Sequence, residues 1–263
     1  MPYHDDEQHE RAEEYTSRFK IPKHYPHRAG KTGHCLDRFP SQDYVDSKAL
    51  SLCGVENPEV NGFYGFNHVR CPWASRTPCL ICGRHSLHID SLIVAIDGAC
   101  PGNGTHNATK SACGVFFGPD RPENLAFRVP DTPGYSHTNQ RAELSAAIAA
   151  VTASVKFIYN GGQWDCKDCP TPCPVVHLVI KSDSAYLVNG MTAHMEKWQK
   201  NGWRTAKGPE VKNKDLWTEL EGLIRLLHND KGVVVDFWHV LRDQNTDADY
   251  LANQGLDEPA PRY

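Results

Sequence analysis

Nowhere does the sequence offer an apolar run approaching the roughly 18 residues that a membrane-spanning helix needs. Its first residues, MPYHDDEQHERAEEY, are polar and acidic, without the apolar stretch of a secretory signal. No membrane association is expected, and an intracellular chain, cytoplasmic or nuclear, is the first reading. Basic excess is lacking too: 28 Lys and Arg stand against 32 Asp and Glu, a formal net charge of −4. That removes a general basic coat for nucleic acid, so any affinity of this kind must come from a local patch. No internal repeat is present. Cysteine is not scarce, at ten residues, but with no signal segment a disulfide framework is the weaker inference. Metal ligation or reduced thiols fit better.

What remains is a globular composition, 40% hydrophobic and 23% charged over 263 residues, ample for a real core. Up to about residue 88 the chain is rich in Pro, Gly, His, Asn and charge, without sustained periodicity, and reads as an extension partly disordered at its start. From residue 91 the texture changes. SLIVAID is a short apolar run ending in Asp97, a Gly-rich turn GACPGNG follows, and SACGVFFG and ENLAFRV (123–129) complete an antiparallel meander. Leu144, Ile148, Val151, Val155 and Ile158 then recur at helical spacing, with Glu143 in the first turns. VVHLVIKSD (175–183) is a buried-strand pattern ending in Asp183. Leu216, Leu220, Leu223 and Leu227 mark a helix, GVVVDFWHV (232–240) a final strand and DADYLANQGL (247–256) a last helix. The pattern predicts an α/β fold, a five-stranded mixed sheet flanked by helices.

Acids recur where strands end. Asp97 closes the first strand, Asp183 the fourth, Glu143 lies on the helix between them, and Asp249 is early in the last helix. Side chains beyond strand ends of α/β sheets converge, and carboxylates that would repel one another in a core become useful when divalent cations sit between them. Two ions so held activate water and stabilise a leaving oxygen in phosphodiester cleavage. Singly, each acid also reads as a cap or turn residue. A local basic patch exists as well: residues 194–214 carry Lys197, Lys200, Arg204, Lys207, Lys212 and Lys214 against Glu196 and Glu210, with Trp198 and Trp203 interleaved.

In that order and at those separations, AIDGACPGNG, TNQRAEL, KSDSAYLVNGM, WQKNGWRTAKGPEVKNKDLW and DADYLANQG resemble the type 1 ribonuclease H family in its eukaryotic form, over about 91–256. The resemblance implies a ribonuclease-H-like fold and an endoribonuclease that hydrolyses the RNA strand of RNA/DNA hybrids. It also implies two Mg²⁺ ions, with Mn²⁺ as substitute, held by Asp97, Glu143, Asp183 and Asp249. Asn103, Asn139 and Gln140 match positions in the hybrid's minor groove, where the 2′-hydroxyl marks RNA. Thr138 and Asn213 match a site for a DNA-strand phosphate, although alone they read as a helix cap and a turn residue. Lys200, Arg204 and Lys207 fall in the basic protrusion that grips the backbone. His239 stands at the family's separation from Asp249 for a proton-transfer histidine, and equally reads as a structural strand-end residue. Asp247, two residues before Asp249, reads as a solvent or capping residue. His194 and Ala206 depart from the family's tryptophan and serine, which puts the grip on the DNA strand in doubt. A monomer is expected. A hybrid-binding module of the same fold with little turnover is the rival reading, and all four acids being present argues against it.

Two cysteine clusters lie outside this pattern. Cys79 and Cys82 form a CxxC pair with Cys71, His85 and His88 nearby, suited to a tetrahedral structural Zn²⁺ site. Cys166, Cys169 and Cys173 fall in a connection at about 160–174, while Cys100 and Cys113 read as small core residues. The expected organisation is an extension over 1–88, a catalytic domain over 89–258 containing that insertion, and a tail over 259–263.

Overall fold

The structure, a computed structural model, describes residues 59–62, 65–70, 87–164 and 173–259. In chain order the elements begin with β1 (Glu59–Asn61), β2 (Asn67–Arg70), β3 (Leu87–Ala99), β4 (Ala112–Phe116) and β5 (Leu125–Arg128). Helix α1 (Asn139–Tyr159) is followed by a small hairpin, β6 (Gln163–Trp164) with β7 (Cys173–Pro174), and by β8 (His177–Ser182). A short helix α2 (Ala185–Asn189) passes through a π turn into α3 (Met195–Lys200). Then come α4 (Lys214–Lys231), β9 (Val234–His239), a 3-10 turn (Arg242–Gln244) and α5 (Thr246–Gly255).

All five expected strands are present. β3, β4 and β5 form the antiparallel meander, β8 runs parallel to β3, and β9 runs parallel to β8. Every residue of β3 from Ser91 to Ile96, and Asp97 with them, is buried, which is why SLIVAI reads as a continuous apolar run rather than an alternation. The sheet is larger than expected, however: β1 and β2 extend it to seven strands. β4 pairs with β3 only as far as Ala95, opposite Phe116, and β2 continues along the same edge from Ile93, opposite Asn67. The two patterns are three and four residues long, too short for period-2 alternation to stand out in sequence.

Two close approaches set the helices. A Cβ on Gly98 would lie 2.4 Å from the backbone N of Glu143, and one on Gly114 would lie 2.2 Å from the carbonyl of Ala248. Gly114 is the register partner of Asp97, whereas Gly98 partners Cys113, whose thiol donates to the carbonyl of Ala142. Adjacent positions along a strand face opposite ways, so α1 covers one face of the sheet and α5 the other. Thr138 caps α1, its Oγ1 accepting from the N–H of Arg141 at 3.2 Å. Against the expectation of no such segment, α1 is by length and composition apolar enough to cross a membrane, but half of its most apolar window is buried in the fold. It is the core helix, with Leu144, Val151 and Ile158 in the main cluster and Ile148 and Val155 packed against it.

Cys100 and Cys113 are buried, as expected of core residues. Cys71, Cys79, Cys82 and His85 lie outside the described residues, as do Cys166 and Cys169. His88 contributes backbone to β3, opposite Val69, and Cys173 to β7, opposite Trp164.

Candidate active site

The parallel register of β3 and β8 pairs Ile93 with Val179 and Ala95 with Lys181. Two residues further along each strand lie Asp97 and Asp183, so strand geometry alone turns both carboxylates to one face. Asp97 is not the last residue of its strand, which runs on to Ala99, whereas Asp183 stands just beyond Ser182, where β8 ends. Glu143 arrives from α1, held close by Gly98. Oxygen atoms of Asp97, Glu143 and Asp183 lie within 4.8 Å of one another.

Such a cluster is electrostatically expensive. Burial first, then the charges of Asp183 and Asp249, push the Asp97 carboxyl up to about 7. Glu143 is raised well above the usual carboxylate range by burial, then by Asp97 and Asp183. Its Oε2 is buried with no hydrogen-bond partner among the described residues. An unsatisfied buried carboxylate oxygen is costly, and hard oxygen donors converging with one of them unspent suit a divalent cation such as Mg²⁺. The residues present therefore fit the metal the sequence implies.

Asp249 stands apart. Its Oδ1 accepts from Nη2 of Arg242 at 2.8 Å, and its Oδ2 from Nδ2 of Asn253 at 3.1 Å. It is close enough to raise Asp97 but is not one of the three converging acids. Asp247, on the same first turn of α5, is exposed. His239 is the last residue of β9 and the register partner of Ser182, one residue from Asp183. It is half-buried at a strand end, not in a loop, and the alternation that puts Lys181 and Asp183 on one face puts Ser182 and His239 on the other.

On the α1 side, Asn103 in the Gly-rich turn accepts from the backbone N–H of Asn139 at 3.0 Å, and Asn139 and Gln140 are exposed. Asn213 sits in the left-handed region, φ 58°, as the residue before α4. Thr138 and Asn213 are tied together through Arg141, which sequence reasoning missed. Arg141 donates to both Asp215 oxygens at 3.2 and 2.8 Å and to Asn213 Oδ1 at 3.3 Å, and lies 4.0 Å from the Tyr135 ring centroid. Although burial works against it, this guanidinium holds Asp215 below its ordinary pKa. Two further residues were missed. Arg242 lowers the acids' pKa values by its charge, and buried Asn245 donates to the Ile96 carbonyl at 2.8 Å and to Asp183 at 3.3 Å. All three sit beside motif residues, in TNQRAE and RDQNTDAD, but only the fold shows their partners.

In the basic segment the tryptophans are structural. Trp198 lies 5.4 Å from Trp217 and 6.3 Å from Trp203, ring centre to ring centre, and the outer His194 ring is 5.5 Å from Trp198. Lys197, Lys200, Arg204, Lys207 and Lys212 are left exposed. Lys200 pairs with Glu196 at 2.6 Å, and Arg204 donates to the Gly208 carbonyl at 3.0 Å.

Residues 90–257 match the family model for RNase H. Ribonuclease H1 of Rattus norvegicus is 33% identical over 174 residues, covering 64% of this chain and 51% of that protein. Ribonuclease H of Alcanivorax borkumensis is 34% identical over 168 residues, covering 64% of this chain and 93% of that protein. A crystal structure of RNase H1 from the halophilic archaeon Halobacterium salinarum is 26% identical with a TM-score of 0.35, covering 64% of this chain and 98% of that one. The chain spans about half the length of the rat relative it matches. With the matched region holding all three converging acids and the sheet that assembles them, the chain belongs to the ribonuclease H family.

Proposed function

We propose that this chain is a divalent-metal-dependent endoribonuclease that hydrolyses the RNA strand of RNA/DNA hybrids, leaving 5′-phosphate and 3′-hydroxyl ends. The observation that carries the reading is the convergence of Asp97, Glu143 and Asp183 within 4.8 Å, with one Glu143 oxygen buried and unbonded. Family membership and relatives named ribonuclease H support it. Mg²⁺ held by these acids, with Asp249 as the fourth, would supply an activated water and charge neutralisation at the leaving oxygen.

The chain's own groups have separable tasks. Asn103, Asn139 and Gln140, exposed along one turn and one helix start, offer amides to the minor groove, where a 2′-hydroxyl separates RNA from DNA. Thr138 and Asn213, fixed in relation to each other by Arg141, offer a hydroxyl and an amide to a phosphate of the uncut strand. The exposed lysines and arginine of the basic segment supply salt-sensitive affinity. His239, at the end of β9, is the side chain this reading assigns to carrying a proton to or from the product, although its register partner is Ser182 and not Asp183.

The rival, a module that retains hybrids with little turnover, rests on the pairing of Asp249 with Arg242, which leaves three acids converging instead of four. Labelled RNA/DNA, RNA/RNA and DNA/DNA duplexes of one sequence, incubated with Mg²⁺ or with EDTA, separate the readings. Mg²⁺-dependent cutting of RNA in the hybrid alone is the expected result. Retention of the hybrid without cutting favours the rival.

A further inference from the structure

Two residues before Asp183, on the same face of the sheet, the chain carries a buried lysine, Lys181. Alternate residues of a strand are about 6.5–7 Å apart, so a four-carbon stem anchored there is long enough to reach carboxylates on either side. Ahead lie Asp97, Glu143 and Asp183. On the other side lies Glu59 of β1, and it is Glu59 that holds the ammonium, accepting from Lys181 Nζ at 2.5 Å. The other Glu59 oxygen accepts from Asn67 Nδ2 at 2.7 Å, and Lys181 Nζ sits 5.4 Å from the centre of the Trp238 ring. Both side chains of the ion pair are 11% exposed.

The segment that delivers Glu59 is anchored at several points. Phe66 is buried in the main core, 6.3 Å from Phe117 and 5.0 Å from Phe157 between ring centres. Val69 packs with Ile93, Val179, Trp238 and Val240, and its N–H donates to Ser91 Oγ at 2.8 Å. A buried ammonium deprived of one carboxylate takes another within reach, because remaining unpaired costs several kcal/mol. On this face Asp236, the register partner of Val179, is engaged by His177 at 2.9 Å, which leaves the acid cluster, where a cation from the protein would compete with the metal.

We propose that Glu59 is a positioning residue that keeps the Lys181 ammonium off the metal-binding acids, which makes β1 and β2 part of the active-site architecture. This rests on the reading of those acids as a Mg²⁺ site.

The test uses full-length protein and Mg²⁺ alone, following the rise in Tm and the heat of binding as Mg²⁺ is added. Wild-type protein that shows neither, and does not cut hybrid, removes the underlying reading. Given a wild-type response, Glu59→Gln is expected to need roughly fivefold or more Mg²⁺ for half its effect, a modest value for one unit charge several ångströms away. Lys181→Met and the double variant Glu59→Gln with Lys181→Met are expected to need no more Mg²⁺ than wild type. Glu59→Asp, which keeps the charge if Glu59→Gln fails to fold, is expected to lie between Lys181→Met and Glu59→Gln. A Glu59→Gln midpoint equal to wild type overturns the proposal. So does a double variant as impaired as Glu59→Gln, or a Lys181→Met midpoint above wild type, because each means the ammonium does not compete with the metal.

Discussion

Asp97 and Asp183 meet because Ala95 and Lys181 are register partners two residues below them on parallel strands, which puts both carboxylates on one face with their oxygens inside 4.8 Å. The meeting is thus a property of the sheet and needs no loop rearrangement. Its cost is visible in Asp97, whose carboxyl is pushed up to about 7 by burial and by the charges of Asp183 and Asp249.

Asp183→Asn is nearly isosteric and removes one of the charges that raise Asp97 and Glu143. Cleavage of hybrid is expected to fall by roughly 10²–10³-fold or more, the scale of deleting one transition-state stabiliser. In EDTA the same variant is expected to melt higher than wild type, because repulsion is relieved. Hybrid affinity should persist. Asp247→Asn, at an exposed position, should cut as wild type does. Single-turnover cleavage and calorimetry of the two variants check this, and an active Asp183→Asn beside an inactive Asp247→Asn would mean the acids are misassigned.

Stability of the metal-free protein should fall with rising pH. The Asp97 carboxyl moves from an ordinary 3.8 to about 7 on folding, so the folded state holds its proton more tightly than the unfolded one. That contribution is fully present below about pH 4 and is lost as pH rises through about 7, up to roughly 4 kcal/mol for a shift of this size. On the proposed reading Mg²⁺ takes the place of the proton, so its effect on Tm should be larger at pH 8 than at pH 5.5. Melting curves in EDTA and in Mg²⁺ at the two pH values give the comparison, and equal Mg²⁺ effects would contradict it.

Much of this site was legible in the chain because its determinants are local. The apolar runs ending near Asp97 and Asp183, the helical spacing from Leu144 to Ile158 and the five motifs each lie within a short window. The contributions of Arg141, Arg242, Asn245 and Glu59 were not legible, since each acts on a partner far away in sequence or through an approach that no spacing announces. Arg141 reaches Asp215, 74 residues on, and Glu59 reaches Lys181, 122 residues on. β1 and β2 escaped for a related reason. Three or four residues carry too little alternation to register, and their pairing with β3 is what defines them.

Gly98 and Gly222 should respond in opposite ways to alanine. At Gly98 a Cβ would meet the Glu143 backbone N at 2.4 Å, forcing α1 off the sheet at the point where it delivers an acid. A loss of about 1–3 kcal/mol is expected, as for overpacked cores, with a weaker response to Mg²⁺. Gly222 is exposed in α4 with nothing within 4 Å of the added atom, so Gly222→Ala should gain about 0.5–1 kcal/mol from helix propensity and leave cleavage unchanged. Denaturant melts and Mg²⁺ titrations of the two variants test the pair.

The basic segment should act on affinity and leave the chemistry intact. Its tryptophans pack inward toward Trp217 while Lys200, Arg204 and Lys207 remain at the surface. Replacing those three by alanine should therefore leave the fold intact and weaken hybrid binding. Removing one cation from a phosphate lowers the slope of log affinity against log salt by about 0.9 on a B-like duplex. The three are not equivalent, because Lys200 is engaged by Glu196 and Arg204 by the Gly208 carbonyl. Lys207→Ala alone should accordingly account for the largest single share of the flattening, while turnover at saturating substrate stays near wild type. Binding measured across a salt series for the single and triple variants decides it: an unchanged slope in the triple variant would turn this surface away from the nucleic acid.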